Sequence, residues 1–190
     1  MREFVFILAI IWHVTAPYAP SDNERRTIVE AHTKIRESVN PTASNMRMMT
    51  YSFEMEQLAE TLVQWCLPIH QRDYPGLSVN QFASTDVKGN YEDFNALFAK
   101  QARHYDYRKN SCNRKCRAYT KVVWANSTGV GCAMNRCTFA VEGGKKPGDF
   151  VVCVYNSESS RKQRPYKKGA SCSQCRQEAT CSRNQCVTRL

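Results

Sequence analysis

Four of the ten cysteines fall within fifteen residues, in SCSQCRQEATCSRNQC (171–186). A stretch this polar has almost no apolar side chain to bury, so its order has to come from covalent crosslinks. An even number of cysteines suits complete pairing in an oxidising compartment. The start of the chain points to the same compartment. MREFVFILAIIWHVTAPYA has a basic beginning, an apolar run from Phe4 to Val14 and then small residues. That is the pattern of a secretory signal peptide, and the run is too short to span a bilayer. Cleavage is expected near Ala16 or Ala19, and residues 1–19 are assigned to the leader. Spacing alone leaves the disulfide connectivity open.

Behind the leader, roughly 170 residues are enough for one domain with a substantial core. The first half of that domain reads as helices. Asn23 to Val39 carries Ile28, Ala31, Ile35 and Val39 near one face, and Pro41 stops it. A turn, NPTASNM, precedes a second helix from Phe53 to Cys66, with Met55, Leu58, Leu62 and Trp65 in its stripe and Pro68 closing it. A third is expected over Tyr91 to Tyr105, with Phe94, Leu97, Phe98 and Ala102 inward. The intervening His70 to Asn90 lacks a period and reads as a surface loop.

The second half is richer in β-branched and aromatic residues. YTKVVW, VGCAM, CTFAV and FVVCVY are each expected to be strand, with EGGKKPGDF a turn leading into the last of them. Helices followed by a meander predict an α+β domain over residues 20–160. Residues 161–190 form a basic linker and a small crosslinked module. No repeats are present, and no segment after the leader is apolar enough to be transmembrane.

Several of these stretches together resemble the CAP superfamily, which includes cysteine-rich secretory proteins, antigen-5 venom allergens and pathogenesis-related proteins. AHTKIR (31–36) resembles the family's His-Asn-x-x-Arg helix motif, and VNPTASNM (39–46) follows it. MMTYSFEMEQLAETLVQWC (48–66) has the spacing of the family's second helix up to its cysteine. YDYRKNSC leads into CRAYTKVVW (116–124), which looks like the family's Gly-His-Tyr-Thr-Gln-Val-Val-Trp segment. VGCAMNRC, FVVCVYN and PYKKGASCSQC come in family order. The resemblance implies a three-layer α/β/α sandwich with a short disulfide-rich C-terminal hinge. It also implies the pairs Cys66–Cys137, Cys112–Cys116, Cys132–Cys153, Cys172–Cys181 and Cys175–Cys186. Since the hinge stops at Leu190, the ion-channel regulatory module of some relatives is expected to be missing.

Many members of that family hold a divalent metal in a cleft with two histidines and two acidic residues. Imidazole nitrogens bind zinc, and carboxylates ligate it or move protons. On the matching positions this chain has His70, Val79, Gln101 and Ala118. One imidazole cannot supply the three or four ligands that zinc takes. His104, one turn from Gln101, is the one substitute in reach. His32 belongs to the helix motif and reads as a buried structural residue. No Gly-x-Ser-x-Gly elbow is present, and every cysteine has a bridge partner. The expectation is a protein without a catalytic site, metal or cofactor.

Binding remains. The resemblance implies two lipid sites, one for sterol under a loop and one for fatty acid between two helices. Here the loop residues are Tyr74, Leu77, Val79 and Phe82, and the helix-pair residues are Ile28, Ile35, Phe94 and Phe98. The net charge of +10, from 27 Lys+Arg against 17 Asp+Glu, favours acidic partners. Arg161, Lys162, Arg164, Lys167 and Lys168 crowd into SRKQRPYKK, with Arg176 and Arg183 beyond. A surface protein or a sulfated glycan is the partner expected there; nucleic acid is excluded by the secretory route. Asn126-Ser127-Thr128 is an N-glycosylation sequon, expected to be occupied. The functional expectation is a secreted binding protein, for a sterol or fatty acid, or for an extracellular partner through its basic face.

Overall fold

The computed structural model describes residues 17–85 and 89–188. The apolar leader run Phe4–Val14 lies outside the described residues. Helix α1 (Asp22–Glu37) begins at Ser21, whose backbone N–H donates to Glu24 Oε2 at 2.8 Å while its hydroxyl accepts from the Glu24 N–H. This reciprocal box satisfies two donors that a helix start would otherwise leave open. Ile28, His32, Ile35 and Arg36 are buried, at the spacing of a single helix face.

Strand β1 (Thr50–Tyr51) leads into α2 (Phe53–Val63), which Ser52 caps by accepting from the Met55 N–H. The helix is shorter than its sequence suggests. Cys66 takes a left-handed backbone (φ 54°) and is bridged to Cys137, which turns the chain out of the apolar stripe. Trp65 is therefore 69% exposed and Leu67 64% exposed, where the period had placed Trp65 inside.

The expected loop at 70–90 contains strand β2 (Ser78–Ser84). Its polar residues Asn80 and Gln81 hide the strand pattern. Helix α3 (Tyr91–Lys100) is capped by Asn90 and tightens into a 3-10 turn over Gln101–His104, so the expected helix to Tyr105 ends early. A small hairpin of β3 (Tyr105–Asp106) and β4 (Ser111–Cys112) follows.

The largest departure is at YTKVVW, which is not a strand. Arg117–Val122 forms helix α4, with Tyr119, Val122 and Val123 buried at helical spacing. The β-branched composition gave way to local hydrogen bonding, as strand propensity often does. Gln101 Oε1 accepts from the N–H groups of Ala118 and Tyr119 at 3.1 and 3.4 Å, so a side chain from the preceding turn caps this helix.

VGCAM and CTFAV are one strand, β5 (Gly129–Val141), joined through Glu142 and Gly143 to β6 (Gly144–Tyr155). The expected turn EGGKKPGDF is mostly the start of β6. Gly143 has φ 86°, a conformation that favours glycine in a two-residue hairpin turn. The sheet order is β1-β5-β6-β2, with β1 parallel to β5 and the other pairs antiparallel. Alternation on β6 separates two cores. Val151, Cys153 and Tyr155 face α1, α3 and α4, whereas Phe150, Val152 and Val154 face α2. The result is an α/β/α sandwich. At Gly131 a Cβ would lie 2.1 Å from the Glu56 backbone nitrogen, so α2 lies directly on the backbone of β5.

Disulfides join Cys66–Cys137, Cys112–Cys116, Cys132–Cys153, Cys172–Cys181 and Cys175–Cys186. The last two hold the hairpin of β7 (Ala179–Ser182) and β8 (Gln185–Thr188). This C-terminal segment packs back onto the sandwich. Gln185 is fully buried, accepting from Arg36 Nε and donating to the Thr33 carbonyl, both at 3.3 Å. Arg183 spans Glu30 and Glu37 on α1, with its shortest contacts at 2.7 and 2.6 Å. No helix among the described residues is long and apolar enough to cross a membrane.

Candidate functional site

The cleft at the junction of α3, α4 and β2 is a depression of about 390 Å³ lined by Phe82, Phe98, Gln101, His104 and Ala118, among others. Its lining offers few free ligand atoms at the positions singled out from the sequence. Ala118 offers a methyl group. The Gln101 amide oxygen is committed to the start of α4. His104 lies between two partners: Nδ1 is 3.1 Å from Asn113 Oδ1, and Nε2 accepts from Arg103 Nε at 3.2 Å. A guanidinium on the only free lone pair opposes a metal ion at that nitrogen.

His70 and Val79, the other two positions expected in the cleft from the resemblance, do not line this depression. His70 is exposed at the head of the short 3-10 turn Gln71–Asp73. Val79 is 5% exposed and packs in the α2-side core. Among the described residues, His104 is the one histidine that lines this depression.

Lys121, one turn from Ala118 on α4, donates from Nζ to the Val79 carbonyl at 2.5 Å. Burial pushes its ammonium down to about 8, and at neutral pH it still carries a positive charge.

Beneath the cleft runs a neutral polar chain. His32 Nδ1 lies 2.8 Å from the Ile28 carbonyl, which can only accept, so Nδ1 carries the proton. Nε2 then accepts from the Tyr155 hydroxyl at 3.0 Å. Asn80 Nδ2 donates to Tyr155 Oη at 3.2 Å and to the Ala118 carbonyl at 3.1 Å. Burial pushes the His32 imidazole down to about 4, so it is neutral at physiological pH. Its task is to join α1, β6, β2 and α4.

The larger concavity lies elsewhere, between α1 and α3. This groove of about 570 Å³ is lined by Ala31, Ile35, Ala96 and Ala99, with Arg26 and Lys34 also contributing. Asn95 is 4% exposed and lines it too, and its Nδ2 has no hydrogen-bond partner among the described residues. Of the helix-pair residues taken from the sequence, only Ile35 lines the groove. Ile28, Phe94 and Phe98 are core residues at 0%, 2% and 4% exposure. Among the loop residues, Tyr74, Leu77 and Val79 pack against the α2-side core, and Phe82 meets Phe94 at 5.1 Å between ring centroids. Ala31 belongs to the apolar face of the first helix, whereas Ala96 and Ala99 read as ordinary helix. Ala96 and Ala99 at i, i+3 opposite Ala31 and Ile35 at i, i+4 are the signal that was available.

The basic tail residues Arg161, Lys162, Arg164, Lys167 and Lys168 are exposed, as is Asn126 in the sequon. Arg164 is held in place, donating to the carbonyls of Tyr107 and Arg108 at 3.0 and 2.8 Å.

The family model for CAP, the cysteine-rich secretory protein family, matches residues 29–155. The chain belongs to the CAP family. Human peptidase inhibitor 16 is 30% identical over 185 residues, covering 95% of this chain and 40% of that protein. This chain therefore spans well under half of that relative's length. Human GLIPR1-like protein 1 is 31% identical over 170 residues, 84% of this chain and 69% of that one. Among solved structures, Na-ASP-1 superposes with a TM-score of 0.73 at 24% identity, covering 92% of this chain and 49% of that one. The shared fold is the CAP sandwich.

Proposed function

We propose that this CAP protein is a secreted, non-catalytic lipid binder, and that a fatty acid lying between α1 and α3 is its most concrete ligand. The observation that carries this reading is the α1–α3 groove. Its volume of about 570 Å³ falls within the roughly 300–1,000 Å³ usual for small-molecule sites. Its wall of alanine and isoleucine side chains suits an alkyl chain, whose burial contributes about 25 cal/mol per Å². Arg26 and Lys34 among its lining residues suit a carboxylate, with Glu30 and Glu92 on the same rim setting where it can lie. The unpartnered Asn95 Nδ2 adds a donor. A sterol beneath residues 74–82 has less support, since Tyr74, Leu77 and Val79 are already packed on the α2-side core.

The test is a titration of disulfide-intact protein with labelled palmitate and labelled cholesterol. Saturable palmitate binding is expected. It should weaken by more than about tenfold in Ala96→Phe/Ala99→Phe, two exposed positions where a larger ring fills the groove and spares the core. Saturable cholesterol binding that the double variant does not affect would move the ligand to the other site. No saturable binding of either lipid would reject the reading.

Absence of cleft chemistry is tested separately. Calorimetric titration with zinc is expected to show no stoichiometric site. A site that disappears in His104→Ala would show instead that the Arg103 contact yields to metal.

A further inference from the structure

Two depressions adjoin beside the basic tail, on the side of the molecule formed by α4, the β3–β4 hairpin and residues 160–168. The first, about 420 Å³, includes Arg164, Lys167 and Lys168 in its wall; the second, about 260 Å³, includes Arg117 and Arg161. Trp124, Gln163 and Pro165 line both, so the two depressions abut on these side chains and together make a two-part trough. No aspartate or glutamate lines either depression. Five cations thus flank a concave path with no compensating acid in its wall. A charge run in a solvated connector has no such reason to follow a groove.

We infer that this trough is a binding site for a linear sulfated glycan, with Arg117 and Arg161 at one end and Arg164, Lys167 and Lys168 at the other. The inference is independent of the lipid reading, because α1 and α3 contribute nothing to the trough. Three features favour this polyanion over others. The cations are distributed along a concavity, which a narrow sugar chain enters and a flat bilayer does not. Open aromatic surface for stacking nucleobases is scarce: Trp124 and Tyr166 are 6% and 3% exposed, Tyr107 is already stacked on Tyr166 and covered by Arg164, and the half-buried Tyr105 packs against Tyr107 and Tyr119. Sequence-tolerant binding of single strands needs open ring faces. Sulfates instead need donors, and the trough is rich in them. Arg164 uses two of its five N–H donors on backbone carbonyls, which fixes its fork while leaving donors for a ligand. The buried hydroxyl of Tyr166, in the wall of the first depression, has no partner among the described residues.

The experiment measures affinity for heparin oligosaccharides of defined length by surface plasmon resonance, using the mature, disulfide-intact chain. Arg117→Gln/Arg161→Gln and Lys167→Gln/Lys168→Gln are each expected to weaken binding by about five- to tenfold. Lys145→Gln/Lys146→Gln, on the exposed β5–β6 hairpin, removes equal charge away from the trough and is expected to change affinity less than about twofold. Desulfated heparin is expected to lose binding. Equal losses in all three pairs would reduce the effect to net charge and overturn the site. Single-stranded DNA or phosphatidylserine vesicles binding as tightly as heparin, with the same dependence on the two trough pairs, would overturn the choice of ligand. Circular dichroism and melting of every variant separate loss of site from loss of fold.

Discussion

Replacing Arg36 by Met is expected to destabilise the protein by about 3–5 kcal/mol, the sum expected when a few buried carbonyls lose their donor. Arg36 is fully buried, yet none of its hydrogen-bond partners is a carboxylate. Nη1 donates to the carbonyls of Val122 and Trp124 at 2.7 and 2.9 Å. Nη2 donates to those of Arg47, Ser127 and Ala125 at 2.6, 3.1 and 3.5 Å, and Nε to Gln185 Oε1. Backbone carbonyls thus solvate the charge in place of water. They also gain the donors that the end of α4 and the following turn would otherwise lack. Burial pulls the guanidinium below its ordinary value but leaves it charged at neutral pH. Met fills much of the same volume and donates nothing, so several buried carbonyls are left open, each costing about 1–3 kcal/mol. Arg36→Lys keeps the charge but not the fork, and only a minor part of the loss should return. Urea unfolding midpoints measure the difference. A loss under about 1 kcal/mol for Arg36→Met would mean that water replaces the guanidinium, contrary to the buried position observed here.

Mild acid is expected to remove about 2 kcal/mol of stability between pH 7 and pH 5 through His32 alone. The imidazole is held near 4 in the fold against an ordinary value of 6.5. Unfolded chains therefore take up a proton across that interval while folded chains do not, and stability falls with pH. Its contribution is complete above pH 6.5 and is lost progressively down to pH 4. Glu24, Glu30 and Glu37 are held below their usual carboxylate values, Glu30 and Glu37 chiefly by Arg183 and Glu24 by its bonds to Ser21 and Tyr18. They act at lower pH, with stability present above the ordinary carboxylate value and lost as pH falls through the depressed one. Comparing urea midpoints of wild type and His32→Gln at pH 7 and pH 5 isolates the histidine. The variant should be less stable at pH 7 and nearly flat across the interval. A wild type equally stable at both pH values would show that the His32–Tyr155–Asn80 chain accommodates an imidazolium.

Both expectations depend on how α1 meets the rest of the molecule, and α1 is where sequence was most informative. Its capping residues and apolar spacing lie within a few positions of one another, so local chemistry reveals the element. The same local logic failed at residues 117–122 and 78–84. In the first, a Gln101 side chain supplied by the preceding turn selects helix over the strand suggested by β-branched residues. In the second, pairing with β6 in the register Ser78↔Tyr155 creates a strand from a stretch with little pattern of its own. Neither partner is visible from within the segment it controls.

The functional residues divide in the same way. The lack of a ligand atom at Ala118 is a property of one side chain, and the sequence alone determines it. So is the gathering of cations between Arg161 and Lys168, and so is the number of half-cystines available for bridging. Only the tertiary structure decided that His70 and Val79 do not line the depression that holds Gln101 and Ala118, that Ala31, Ala96 and Ala99 face one another across a groove, and that Arg117 joins the tail cations along a trough. Those relations need coordinates because they arise where elements distant in the chain pack together. Side-chain identity is carried by each residue, but a concavity and the charges around it belong to no single segment.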